Sequence, residues 1–192
     1  MAIGNIFVIS DTHFGHANMY NFMEADGAPV RKDSNNLPVK MEDFDELMVQ
    51  NWNDTVKDGD IIYHLGDVYF GLGHQHLWKL KGRKRLILGN HDNGKDQNLH
   101  KVFEKILMWR MFPEWEVLLS HTAQHESALG GKVKYNFHGH IHRKPNISPV
   151  HLNCSVEVQN YTPKSVEDLM KQLKHGNSEQ YKTNPHKVMR SG

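Results

Sequence analysis

A single cysteine, Cys154, in 192 residues excludes an internal disulfide. A lone thiol fits a reducing compartment. Long apolar runs are also missing: none approaches the roughly 20 residues that span a bilayer. The opening Met1-Ala2-Ile3-Gly4-Asn5 has no basic segment ahead of an apolar stretch. The expectation is therefore a cytoplasmic protein with no membrane partner. Excess charge of one sign is absent as well, since 23 Lys+Arg against 22 Asp+Glu leave +1 with His neutral. Nucleic acid remains open as a partner, but global charge does not indicate it. At 38% apolar and 23% charged residues, disordered and fibrous classes are excluded. The length suits one domain with a substantial core. What the chain has in excess is histidine, 15 of them, the commonest metal ligand.

Apolar runs and breakers predict an alternating order of elements. Residues 3–9 and 61–65 read as buried strands, and 85–88 as a third. Met41 to Val56 carries Phe44, Leu47, Met48, Trp52 and Val56 at helical spacing and ends at Lys57-Asp58-Gly59-Asp60. Short helices are expected over 75–80 and 99–107, and strands over 117–119, 135–137 and 151–158. A last helix runs to Leu173, with Thr162 as its N-cap and Pro163 in its first turn. Residues 15–40 form a long polar loop, of a length more often functional than not. There is no internal repeat. The domain is expected to occupy 1–174, with a polar tail over 175–192. Strand, polar cluster, helix, repeated, predicts an α/β layered sandwich with its site beyond the carboxyl ends of the strands.

Five polar clusters end these apolar runs: Asp11-Thr12-His13, Gly66-Asp67, Gly89-Asn90-His91-Asp92, Ser120-His121 and Gly139-His140-Ile141-His142. They are expected along one edge of one sheet. Asp, Asn and neutral His form the ligand set of manganese, iron, zinc and related divalent ions, without thiolate. Any one such histidine is more often structural than a ligand. Five clusters in order, each after an apolar run, argue for a common site.

These motifs, in this order, resemble the calcineurin-like metallophosphoesterase superfamily, over residues 3 to about 158. The resemblance implies a β-sandwich flanked by helices and two divalent metal ions, manganese ahead of iron, zinc, nickel or cobalt. It assigns Asp11, His13 and His142 to the first metal and Asn90, His121 and His140 to the second, with Asp67 bridging them. A hydroxide between the metals would be the nucleophile. His91 would face the leaving group as proton donor, with Asp92 orienting its imidazole and favouring the protonated form. His16 could reach the substrate phosphate, alongside Asn90 and His91.

The implied activity is hydrolysis of small or nucleotide-type phosphate esters, diesters ahead of monoesters. A phosphomonoesterase or a nucleotide pyrophosphohydrolase is the alternative on the same site. A non-catalytic interaction scaffold is the alternative from another class, opposed by the intact ligand set and His91. The basic run Lys79, Lys81, Arg83, Lys84 and Arg85 reads as a solvated turn ahead of a nucleic-acid site. His64 and His138, two or three residues before ligands, read as supporting or core residues. Met108-Trp109-Arg110-Met111-Phe112 is either core or a dimer patch. Oligomeric state stays open.

Overall fold

A computed structural model describes residues 5–23, 27–31 and 41–180. Much of the expected 15–40 loop, the start of the first strand and most of the expected tail lie outside the described residues. Among the described residues, nine strands and four α-helices form two mixed sheets flanked by helices, an α/β arrangement. The first sheet holds β1 (Ile6–Ile9), β2 (Ile61–His64), β3 (Arg83–Ile87), β4 (Lys105–Leu107) and β9 (Lys164–Ser165). Its order is β4-β3-β2-β1-β9, parallel except for β9. The second sheet runs β5 (Trp109–Phe112), β6 (Val117–Ser120), β7 (Tyr135–His138) and β8 (His151–Asn153), with only β5 antiparallel. The helices are α1 (Met41–Thr55), α2 (His74–Leu77), α3 (Gln97–Val102) and α4 (Val166–Gln180).

The apolar runs of β1 and β2 are continuous because their sheet is covered on both faces. Side chains alternate between two cores. Phe7, Ile9, Ile62 and Leu86 pack with Phe44, Met48 and Trp52 of α1, Leu77 of α2 and Leu99 of α3. Val8, Ile61, Tyr63 and Ile87 pack instead against Val117, Leu119, Phe137 and Leu152 of the second sheet, with Leu169 and Leu173 of α4. Trp52, expected in the core, is buried and donates its indole N–H to the Lys81 carbonyl at 2.9 Å.

Three elements depart from the sequence reading. The expected helix over 99–107 stops at Val102, and residues 105–107 form β4, because Ile106 and Leu107 pair with Leu86 and Ile87. Thr162 is not a helix cap. Lys164–Ser165 first adds an edge strand to β1, and the Ser165 hydroxyl then accepts the Asp168 amide at the start of α4. This helix continues to Gln180, into the expected tail. The 151–158 strand ends at Asn153, after which the chain turns. Among the described residues, no helix is long and apolar enough to cross a membrane. The basic run is largely engaged within the protein: Lys79 with Glu46, Arg83 with Glu104, Arg85 with the Tyr63 hydroxyl, and Lys84 with two backbone carbonyls.

The clusters do not share one sheet. Those after β1, β2 and β3 leave the first sheet, and those after β6 and β7 leave the second. Both sets meet because the chain after β8 returns to β1: Ser155 bridges Ser10, and the Val156 amide donates to the Ser10 carbonyl at 3.0 Å. His64 locks the first two clusters together. Its Nδ1 accepts the Gly66 amide at 3.1 Å, its Nε2 lies 2.9 Å from Thr12 Oγ1, and that hydroxyl donates to the Val68 carbonyl at 2.7 Å. The backbone donor fixes Nδ1 as acceptor, so the relay needs a neutral imidazole. Burial pushes the His64 pKa from 6.5 down to about 3. Burial likewise pushes His138 down to about 4.

Both folded values lie below the unfolded one, so in that interval the unfolded chain binds the extra protons and stability falls with falling pH. Each histidine contributes a slope of about 1.4 kcal/mol per pH unit. For His64 the loss runs from pH 6.5 to about 3, and for His138 from 6.5 to about 4. Urea unfolding midpoints of chelator-treated protein over this range check it, and His64→Gln should reduce the slope by about 1.4 kcal/mol per pH unit.

Candidate metal centre

Five of the eight non-glycine residues with positive φ among the described residues are candidate ligands: Asp11 (59°), His13 (45°), Asp67 (57°), His140 (71°) and His142 (50°). Such conformations cost of order 1 kcal/mol or more each and persist where the surroundings enforce them. The neighbouring glycines show what enforces them. A Cβ on Gly139 would lie 1.9 Å from Ser10 Oγ and 2.3 Å from Asp11 Oδ2, and one on Gly89 would lie 2.2 Å from Asp67 Oδ1. The carboxylates therefore rest against bare backbone.

Two groups of side chains converge. Ligand atoms of Asp11, His13 and His142 lie within 4.8 Å of one another, as do those of Asp67, His121 and His140. Asp67 lies between the groups, its Oδ2 being 3.6 Å from His13 Nε2 and 3.5 Å from His121 Nε2. Asn90 Oδ1 joins the second group, 2.8 Å from His121 Nε2 and 2.9 Å from His140 Nδ1. All seven ligands expected from the sequence are thus together.

The donor set fits divalent cations. Both ring nitrogens of His13 are buried without a hydrogen-bond partner, a costly state for a polar ring. Burial, with Arg31 and the neighbouring histidines, holds its pKa far below the usual value, so its lone pair stays free. His121 Nδ1 donates to the Leu65 carbonyl at 2.7 Å, which leaves the Nε2 lone pair facing Asn90 Oδ1. Two lone pairs at 2.8 Å repel unless a cation lies between them. Asp11 is held by the His140 amide at 2.9 Å and the Ser155 hydroxyl at 2.9 Å. Burial still raises its pKa, against the lowering effect of His142 and His121.

His91 is exposed above the centre. Its amide donates to Asp67 Oδ1 at 2.9 Å, and its ring lies 5.8 Å from His13 and 5.3 Å from Phe70. The expected contact with Asp92 is replaced by a different one. The Asp92 carboxylate accepts the amides of Asp67 (2.9 Å), Val68 (3.0 Å) and Gly89 (2.8 Å), so it clamps the bridging loop rather than the imidazole. Burial raises the Asp92 pKa, opposed by those three amides and reinforced by Asp67. His16 packs edge-on to Phe70 at 4.1 Å and lines a cleft of about 360 Å³ with His13, His91, His142 and Lys144. On the other side, a groove of about 570 Å³ reaches Asn90 and His121.

Sequence reasoning missed the support behind the first group. Glu157, its side chain fully buried, lies 3.1 Å from Arg31 Nε and 3.3 Å from His142 Nδ1. Arg31 is also fully buried, and its Nη2 donates to the carbonyls of Asp11 and Thr12, each at 2.8 Å. Burial would neutralise Glu157, but the His142 contact and Arg31 together hold its pKa below the usual value. Burial also acts to lower the His142 pKa, yet Glu157 and Asp11 leave it raised. The available signal was an isolated acid flanked by Val156 and Val158 in an apolar stretch, a placement that demands a partner.

No protein-family model matches the chain. Over 187 residues it is 30% identical to a Methanocaldococcus jannaschii protein named uncharacterized protein MJ1445, covering 92% of this chain and 95% of that one. It is 28% identical over 185 residues to the gene 66 protein of Mycobacterium phage L5, covering 79% of this chain and 83% of the phage protein. The crystal structure of AQ665, a protein of unknown function from Aquifex aeolicus, is similar in fold, with a TM-score of 0.63 at 24% identity, covering 88% and 98% of the two chains. The structure of an archaeal phosphodiesterase gives a TM-score of 0.46 at 16% identity, covering 84% and 98%.

Removing one member of a buried ion pair leaves the other charged and uncompensated. Glu157→Gln should therefore destabilise the protein by about 3 kcal/mol, read from urea unfolding of the metal-free form. A loss typical of a surface substitution would mean that Arg31 does not depend on Glu157.

Proposed function

The chain belongs to the family of the Methanocaldococcus jannaschii protein MJ1445, and from the geometry of its own site we propose that it is a dinuclear-metal phosphoesterase of the calcineurin-like type. The observation that carries this reading is the position of Asp67. A single carboxylate oxygen lies 3.6 Å from an imidazole of one ligand group and 3.5 Å from an imidazole of the other. Two dications held about 3.5–4 Å apart repel, and a shared carboxylate offsets that repulsion.

Asp11, His13 and His142 would hold one metal, and Asn90, His121 and His140 the other, with Asp67 available to both. When bound, the pair neutralises phosphate oxygens and acidifies a water for attack on phosphorus near neutral pH. Oxygen and imidazole donors favour manganese, iron, zinc, nickel or cobalt. Asp92 fastens the loop that presents Asp67 to the loop that presents Asn90, by accepting the amides of Asp67 and Val68 in the first and of Gly89 in the second. Glu157 orients His142 from behind, as a carboxylate does for a ligating imidazole. His91 stands exposed at the cleft, where its imidazole N–H can give a proton to the departing ester oxygen. His16 and Lys144 line the same cleft and offer positive or hydrogen-bonding contact to the phosphate. Openings on both sides of the metal centre leave room for two organic substituents, which favours a diester over a monoester.

Bis(p-nitrophenyl) phosphate should be hydrolysed with added manganese, faster than p-nitrophenyl phosphate, and chelation should abolish turnover. Asp67→Ala should lose both metals and activity together, as read by metal analysis. A folded protein that turns over neither ester with any divalent metal would favour a scaffold instead, and two metals retained without Asp67 would contradict the bridge.

His91→Ala should keep its metals and lose about 10²-fold or more in kcat on alkyl leaving groups. The loss should be smaller for p-nitrophenolate, which needs little protonation. Equal losses across leaving groups of different basicity would count against proton donation.

A further inference from the structure

At its β5–β6 edge, the second sheet presents large apolar side chains on its outer face, where solvent would favour polar residues. Trp109 of β5 pairs across the strands with Ser120, and Met111 with Leu118, so these four side chains share one face. All four line the groove of about 570 Å³, together with Met108 and Leu88. Trp109 and Met108 are 56% and 68% exposed, an unusual placement for large apolar groups that line the same open groove. The volume is that of a small-molecule site.

We propose that this groove binds the nucleobase of a nucleotide-type phosphodiester, in the arm that stays on phosphorus; the proposal rests on the phosphoesterase reading above. Asn90 and His121 belong both to the groove and to the second ligand group. A ring seated there is therefore continuous with a phosphate at the metals. An exposed indole offers a stacking face, and the thioethers of Met108 and Met111 make favourable soft contacts with aromatic rings. Ser120, Thr122 and Gln124 bring polar atoms to the wall, which suits the hydrogen-bonding edge of a base better than an aliphatic chain. His91 lies in the other cleft, so the leaving alkoxide departs on the side away from the base.

Two substrates with the same leaving group test this: thymidine 5′-(p-nitrophenyl phosphate) and methyl p-nitrophenyl phosphate, with the manganese-loaded protein. The nucleoside ester should have a kcat/KM at least about fivefold higher, the lower range for stacking one base on an aromatic side chain. In Trp109→Ala that ratio should collapse toward one, and in Trp109→Phe most of it should return. A native ratio near one, or a ratio that survives Trp109→Ala, overturns the proposal. Should neither ester react with any divalent metal, the phosphoesterase reading fails, and binding decides the groove separately. Quenching of indole fluorescence by thymidine 5′-monophosphate, lost in Trp109→Ala, upholds it, and no quenching overturns it. A concentration-dependent dimer broken by Trp109→Ala, with the substrate ratio unchanged, makes a second copy the occupant and also overturns it.

Discussion

The site depends on one constraint: the pairing of β1 with β2 does not stop where the strands stop. The Asp11 amide donates to the Gly66 carbonyl, His13 to Asp67 and Phe14 to Val68, at 3.0 to 3.1 Å, so two ligand loops run as a continued ladder. Ordinary strand ends diverge into turns. Here the first two clusters are held side by side, and the His64–Thr12 relay fastens them from beneath. Positive φ at Asp11, His13 and Asp67 follows from that confinement, since the backbone must turn its side chains toward one point without leaving the ladder. Gly66, itself at φ +101°, lets β2 turn against Gly89, where a side chain would meet backbone at 2.4 Å. Position is thus settled by backbone, which shifts less than loops joined only through side chains.

The electrostatics follow from that geometry. Gathering Asp11, Asp67 and four imidazoles in a small volume leaves many polar atoms to be satisfied at once. Part of the cost is met within the protein: the His140 amide and Ser155 hydroxyl on Asp11, the Leu65 carbonyl on His121, and Arg31 with Glu157 behind His142. The remainder includes the two nitrogens of His13, which have no hydrogen-bond partner among the described residues, and the His121 Nε2 lone pair facing Asn90 Oδ1. Buried polar atoms left in this way concentrate where a protein binds something.

The convergence of these side chains was legible because each cluster follows an apolar run, and apolar runs are what sequence reports best. Asp11, Asp67 and Asn90 could be placed at strand ends, and Trp52 in the core, from the sequence pattern alone. Tertiary facts were not legible. Whether residues 105–107 continue a helix or add a strand depends on an open edge at β3, a partner the local pattern does not display. That the clusters belong to two sheets depends on the Ser10–Ser155 contact, which joins residues far apart in the chain. Asp92 beside His91 suggested a side-chain pair by adjacency. In a turn, adjacent residues point apart, and the carboxylate found backbone amides instead. Arg31 and Glu157 lie 126 residues apart, and only the fold makes them a pair.

The two sides of the centre share an apolar lining and differ in what they add to it. In one cleft, His13, His16 and His91 from the first sheet's loops meet His140, His142 and Lys144 from the loop after β7, beside Met19, Phe22, Val30 and Ile141. In the other, the edge strand β5 puts Trp109 and Met111 beside His121, with Leu88 and Asn90 following β3. Clustered histidines suit the steps in which charge and protons move. An apolar wall suits recognition, because its contacts hold equally well in ground and transition states and so select a substrate without accelerating the chemistry. On the proposed reading, recognition and proton transfer would therefore sit on opposite sides of the centre, and substitutions over residues 108–111 would change what is recognised while leaving the ladder between β1 and β2 in place.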